Sequence, residues 1–121
     1  MKKKAFMLIA LAAFVFSFTL TFAMDDTAEE RGKAHFNNPP FANGKKSCSS
    51  CHLNGRGLKD AGAKTGFSIM GGKQANLEEV INVCIVNANK GTLLDVNSTE
   101  MQELASYIKS FGSKAAPGYG K

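Results

Sequence analysis

The residues best suited to chemistry sit in one run, Cys48-Ser-Ser-Cys51-His52. The chain has three cysteines and two histidines in 121 residues, and this run takes three of those five. Thiols at i and i+3 lie on one side of a helical turn. An imidazole directly after them can turn back toward that side. Three uses of the arrangement compete: a short disulfide or redox dithiol, half of a zinc site, or a covalent anchor for haem. A disulfide across two residues closes too small a loop to constrain the unfolded chain much. A thioredoxin-type dithiol belongs in an α/β pattern, and no strands of that kind are legible here. Structural zinc wants four ligands, typically two pairs, and after His52 the chain offers only Cys84. Cys-x-x-Cys-His is the attachment pattern of c-type haem. The thiols of Cys48 and Cys51 would form thioethers on one porphyrin edge, and His52 would give the iron an axial nitrogen. One covalently bound haem c is therefore the expected cofactor.

The elements that must position this run are mostly helical. Thr27 and Glu30 match a capping box, which predicts a helix from about Ala28 to Phe36, ended by Asn37-Asn38-Pro39-Pro40. Leu77, Val80, Ile81, Cys84, Ile85 and Ala88 form one apolar stripe at helical spacing. Asn76 is its expected N-cap, with Glu78 and Glu79 in the first turn, and the helix is expected to stop near Asn89-Lys90-Gly91. Ser98 is the expected cap of a last helix whose inner stripe is Met101, Leu104, Ala105, Ile108 and Phe111, with Gly112 as its C′ residue. Leu53 to Asn76 shows little periodicity and many glycines. Such a length of irregular chain is unusual unless it wraps something functional, and a flat haem is such an object. The fold class expected is all-α, with about three main helices around one haem and a short helical turn at the cysteines.

Lys2, Lys3 and Lys4 precede an apolar run from Ala5 to Phe22, and Thr21-Phe22-Ala23 has small residues where a signal peptidase cuts. This is the layout of a secretory signal, although the run also reaches the lower length of a membrane span. The expected division is residues 1–23 as signal peptide or N-terminal anchor, 24–112 as the haem domain and 113–121 as a flexible tail. Export agrees with haem attachment, which takes place outside the cytoplasm in bacteria, so a periplasmic location is expected. Residues 24–121 hold 12 Lys and Arg against 10 Asp and Glu, a net of +2. That balance gives no support to nucleic-acid binding. A single small domain of this length buries a modest core, and a metal centre is a common remedy.

Gly32-Lys-Ala-His35-Phe36 in the first helix, the Cys-x-x-Cys-His run, and Leu104-Ala-Ser-Tyr107-Ile108 in the last helix together resemble a class I cytochrome c. The resemblance implies that Gly32 and Phe36 pack against Leu104 and Tyr107. From Leu77 to Gly112 the chain is also similar to haem domains of sulfur-oxidising cytochromes such as thiosulfate dehydrogenases, on Ile81-Asn82-x-Cys84, a later glycine, Ser98-x-Glu100-Met101 and Tyr107-Ile108. In some of those domains the cysteine binds iron; in others a methionine before the glycine does.

An ordinary class I cytochrome c has a methionine ligand in the loop before its last helix. Here that loop, Asn89 to Asn97, has none. The resemblance makes Cys84 the first candidate for the sixth ligand, and a thiolate there would push the reduction potential down. Met101 and Met70 are alternatives, each with a plainer use, as a core residue and a loop residue. Lys90, His35 or an open position complete the set, His35 being expected on the surface of the first helix. The sequence assigns no catalytic residue. The resemblance implies an electron carrier exchanging single electrons with other redox proteins, as a monomer and not as an enzyme. A haem subunit of sulfur-oxyanion oxidation is the other reading; those enzymes generally use two haems, against one attachment motif here. Lys45, Lys46, Arg56, Lys59, Lys64 and Lys73 cluster around the motif and the wrapping segment, where they would attract acidic partners.

Overall fold

The structure, a computed structural model, describes residues 26–113. The expected export segment, and all of the expected tail except Ser113, lie outside the described residues. Three α-helices carry the fold: α1 (Ala28–Asn37), α2 (Leu77–Asn87) and α3 (Thr99–Ser113). Among the described residues, no helix is long and apolar enough to cross a membrane.

Helix α1 begins where its capping box placed it. The Thr27 hydroxyl accepts from the Glu30 amide at 3.2 Å, and the Glu30 carboxylate accepts from the Thr27 amide at 2.9 Å. Asn76 Oδ1 caps α2 by accepting from the Glu79 amide at 2.9 Å. Ser98 Oγ accepts from the Met101 amide at 3.3 Å at the head of α3. Each cap satisfies one of the donors that a helix start leaves without a partner.

The wrapping segment is more regular than its sequence suggests. Single 3-10 turns at Leu53–Gly55 and Ala61–Ala63 are followed by a hairpin of β1 (Phe67–Ile69) and β2 (Gly72–Gln74). The strands are antiparallel, with Phe67 opposite Gln74 and Ile69 opposite Gly72. At three residues each they are too short for an alternation of polar and apolar residues to register. The turn is the signal: Met70 and Gly71 both have positive φ.

Helices α1 and α3 pack at a glycine. A Cβ on Gly32 would lie 1.9 Å from the Glu103 backbone oxygen and 2.8 Å from Tyr107 Cβ. Phe36, next along the same face, meets Tyr107 edge-on at 5.3 Å and Phe111 at 5.7 Å between ring centroids. This is the packing that the class I likeness implied for Gly32, Phe36 and Tyr107. Leu104, with Phe36, Ile85 and Met101, is among the large side chains fully withdrawn from solvent.

Two expectations about these helices change. Gly112 does not end α3 in a left-handed turn; the helix continues to Ser113. A Cβ there would come within 2.8 Å of the Lys59 backbone oxygen, so glycine is needed for a close approach of the wrapping segment. His35 is no free surface residue either. Its Nε2 lies 2.8 Å from the Glu103 carboxylate, and its ring lies tilted on Phe41 at 4.5 Å. Arg31 joins the same carboxylate from α1. Glu103 is buried between the helices, and its paired donors hold its carboxyl below the usual carboxylate range, the Arg31 hydrogen bond first and that of His35 second.

The segment after α2 is tied down on both sides. Buried Asn82 donates from Nδ2 to the Leu94 carbonyl at 2.8 Å and accepts from the Leu94 amide at 2.9 Å. The Thr92 amide donates to the Ala42 carbonyl at 2.6 Å, and the Lys45 amide to the Asn89 carbonyl at 2.7 Å. The last two bonds join the chain just before the cysteines to the loop after α2.

Candidate haem-binding site

The Cys-x-x-Cys-His run forms a tight turn. Residues Cys48–Ser50 are 3-10 helical, and the amides of Cys51 and His52 both donate to the Cys48 carbonyl, at 3.2 and 3.0 Å. The turn brings Cys48, Cys51 and His52 to one cleft, into which Cys84 also faces from α2. The cleft has a volume of about 640 Å³, inside the range of roughly 300–1,000 Å³ that holds cofactor-sized ligands. Its walls are largely apolar: Phe36 of α1, Phe67 of β1, Val80 and Ile81 of α2 and Ile108 of α3. Every main element and the wrapping segment contribute to it.

His52 is already oriented as an iron ligand needs. Its Nδ1 lies 2.9 Å from the Arg56 carbonyl oxygen. A carbonyl can only accept, so Nδ1 carries a proton, and in the neutral ring the lone pair is on Nε2. Histidine ligands of metals commonly use this second bond to fix tautomer and ring plane. Cys48 is half-buried, and burial pushes its thiol up; the Asn89 amide, 3.7 Å from its sulfur, acts in the opposite sense. Burial also raises the Cys84 thiol, with nearby Cys51 adding to the effect. Cys51 is exposed although it lines the cleft. All three cysteines are free thiols. Among the described residues, no three His, Cys, Asp or Glu side chains are grouped to hold a metal ion between them.

The structure separates the sixth-ligand candidates by position. Met101 has no exposed surface, belongs to the core and does not line the cleft. Met70 is 60 % exposed at the tip of the hairpin and does not line it either. Lys90 is exposed in the loop after α2, and His35 is held by Glu103; both are outside the lining. Cys84 is the one member of that set that reaches the cleft. The loop that holds the methionine of ordinary class I cytochromes is pinned by Asn82 through Leu94.

The residues present fit a haem. The cleft has the size and apolar lining, two thiols at the attachment spacing, and an imidazole with a free nitrogen. Sequence reasoning missed four contributors. The Arg56 carbonyl carries no signal, because any residue supplies one. Asn89 reads as a helix stop, yet it is buried, lines the cleft and donates toward Cys48. Phe67 and Ile69 enter through the unforeseen hairpin, and their apolar type within a polar, glycine-rich stretch was the clue.

No curated protein and no solved structure matches the chain. The family model of the SoxA/TsdA cytochrome c domain matches residues 31–116. That span takes in α2, α3, all of α1 but its first three residues, the Cys-x-x-Cys-His turn and Cys84, so the chain belongs to the SoxA/TsdA cytochrome c domain family and is a haem-binding, electron-transfer protein.

Proposed function

We propose that the protein is an exported monohaem carrier that passes single electrons between redox partners. Cys48 and Cys51 would hold a haem as thioethers, and His52, through Nε2, and Cys84 would be the ligands of its iron. The observation that carries the reading is the convergence of these four side chains on one apolar cleft, with His52 already fixed by the Arg56 carbonyl. When bound, the haem supplies a metal that changes oxidation state by one electron. The residues of the chain do the remainder. His52 is held in one tautomer, so its nitrogen requires little reorganisation. The Asn82 clip keeps the loop after α2 from rearranging near the cleft. The apolar walls exclude water, and Cys51 leaves the attachment edge at the surface, where a partner can approach. The lysine-led apolar run at the N-terminus supports action outside the cytoplasm.

The test is spectroelectrochemistry of the protein made with a cytochrome maturation system. The account expects a reversible one-electron couple and an oxidised spectrum of low-spin iron with a thiolate ligand. A high-spin iron that binds carbon monoxide without competition would contradict the ligand assignment. Family membership also favours a second reading, a haem subunit of sulfur-oxyanion oxidation. Turnover of thiosulfate with an artificial acceptor would support that reading over a pure carrier.

A further inference from the structure

Asn89 touches both the helix that carries Cys84 and the turn that carries the attachment thiols. Its backbone is clamped on two sides. The amide donates to the Cys84 carbonyl at 3.0 Å, and the carbonyl accepts from the Lys45 amide at 2.7 Å. The side chain is 7 % exposed and lines the cleft. Its Nδ2 lies 3.7 Å from Cys48 Sγ, which makes the sulfur its one side-chain hydrogen-bond partner among the described residues. A cysteine sulfur is a weak acceptor, so a buried donor aimed at one asks for a reason.

Ending α2 is the plainer use of an asparagine here, and it does not account for this one. The chain reverses one residue later. Lys90 has a φ of 59°, and the Gly91 amide closes the turn on the Ile85 carbonyl at 2.8 Å. The left-handed position of a helix end favours Gly or Asn, yet lysine occupies it, and the asparagine stands beside it with its amide on the sulfur. The two attachment thiols differ in the same respect. Cys48 is half-buried and has the Asn89 donor, whereas Cys51 is exposed and no described side chain bonds its sulfur. A cysteine side chain has one torsion with three staggered wells. A donor whose backbone is fixed from two sides selects one of them.

We propose that Asn89 is a positioning residue for haem attachment, holding the Cys48 sulfur toward the cleft so that a porphyrin vinyl group meets it in a reacting orientation. Cys51 reacts without such help. The proposal rests on the haem reading above and adds a residue that acts on one of the two covalent bonds. The step is an addition. The S–H bond of Cys48 breaks, the sulfur bonds the inner carbon of the vinyl group, and the hydrogen goes to the outer carbon. Nothing is oxidised or reduced overall, and no group leaves. Holding reacting atoms in line raises the rate of such a step. Loss of the donor returns the sulfur to all three wells and removes one hydrogen bond, which slows the Cys48 reaction by about three- to tenfold.

The experiment compares the full mature chain with Asn89→Leu, which keeps the backbone bonds and nearly the volume but cannot donate. Asn89→Ala, which lacks the donor without the apolar bulk, is the second variant. Each chain, with its thiols reduced, is mixed with ferrous haem in the absence of oxygen, quenched in acid at intervals and alkylated. The tryptic peptide Ser47–Arg56 carries both attachment thiols, and tandem mass spectrometry scores each one as alkylated or as thioether. In both variants the initial rate at Cys48 should fall about three- to tenfold, while the rate at Cys51 holds. Each molecule is thus its own control, since general damage to the fold would slow both thiols. Variants that slow Cys48 and Cys51 equally, or neither, overturn the positioning role while the haem reading survives. A wild-type chain that forms no thioether at either cysteine, here and beside a maturation system, overturns both.

Discussion

At the scale of single residues, the account depends on what Cys84 and His52 present to the cleft. An iron-bound thiolate donates negative charge and favours the oxidised metal. Replacing it with a neutral thioether in Cys84→Met should raise the reduction potential by on the order of a tenth or more of the 0.8 V that axial ligands span, with loss of the thiolate spectrum. Potentiometry with optical detection reads both. An unchanged potential and spectrum would remove Cys84 from the iron. The attachment motif was legible in the sequence because its chemistry needs three neighbouring residues of fixed type. For the second ligand the resemblance put Cys84 ahead of Met101 and Met70, and the residues alone could not say which of the three the fold turns toward the cleft. Glu103 gives a second residue-scale prediction. Its folded pKa lies below the ordinary value because of Arg31 and His35. Its contribution to stability is therefore full above the unfolded pKa, about 4.3, and is lost as pH falls through the folded value. Urea midpoints should be lower for Glu103→Gln than for wild type at neutral pH, and the gap should close on acidification below about pH 4.3. A gap that widens instead would contradict the pairing.

At the scale of elements, the helix pair α1 and α3 is the frame on which the cleft is built. Gly32→Ala forces a methyl carbon to within 1.9 Å of a carbonyl oxygen, and backbone atoms cannot swing aside as a side-chain tip can. Overpacking costs about 1–3 kcal/mol in ordinary cores. The upper end applies here, and at about 4–8 °C per kcal/mol the melting temperature should drop by roughly 10–20 °C. Differential scanning calorimetry checks this, and a drop within a few degrees of zero would mean that the helices do not cross at this residue. These helices were legible because caps and apolar stripes are local signals that repeat over several turns. The hairpin was not, since its two strands, Phe67–Ile69 and Gly72–Gln74, have three residues each, too few for a period of two to register. Gly112 was misread for the opposite reason: its sequence position suits a helix end, and only the tertiary approach of Lys59 explains it.

At the scale of the whole molecule, the described chain is a small helical frame closed by a wrapping segment, with a cleft where its hydrophobic centre would otherwise be filled. Phe36, Ile81 and Ile108 belong both to the core and to the lining. A bound haem would therefore be part of the core as well as the redox centre, and folding and cofactor binding would reinforce each other. Family membership, fold and motif agree on one need, to hold a flat, largely apolar haem. The direct test is the mass of the purified protein under denaturing conditions, after expression beside a cytochrome maturation system, for wild type and for C48A/C51A. The account predicts a wild-type mass equal to the mature chain plus one haem, and a bare chain for the double variant. A colourless wild-type protein with the mass of the polypeptide alone would contradict it.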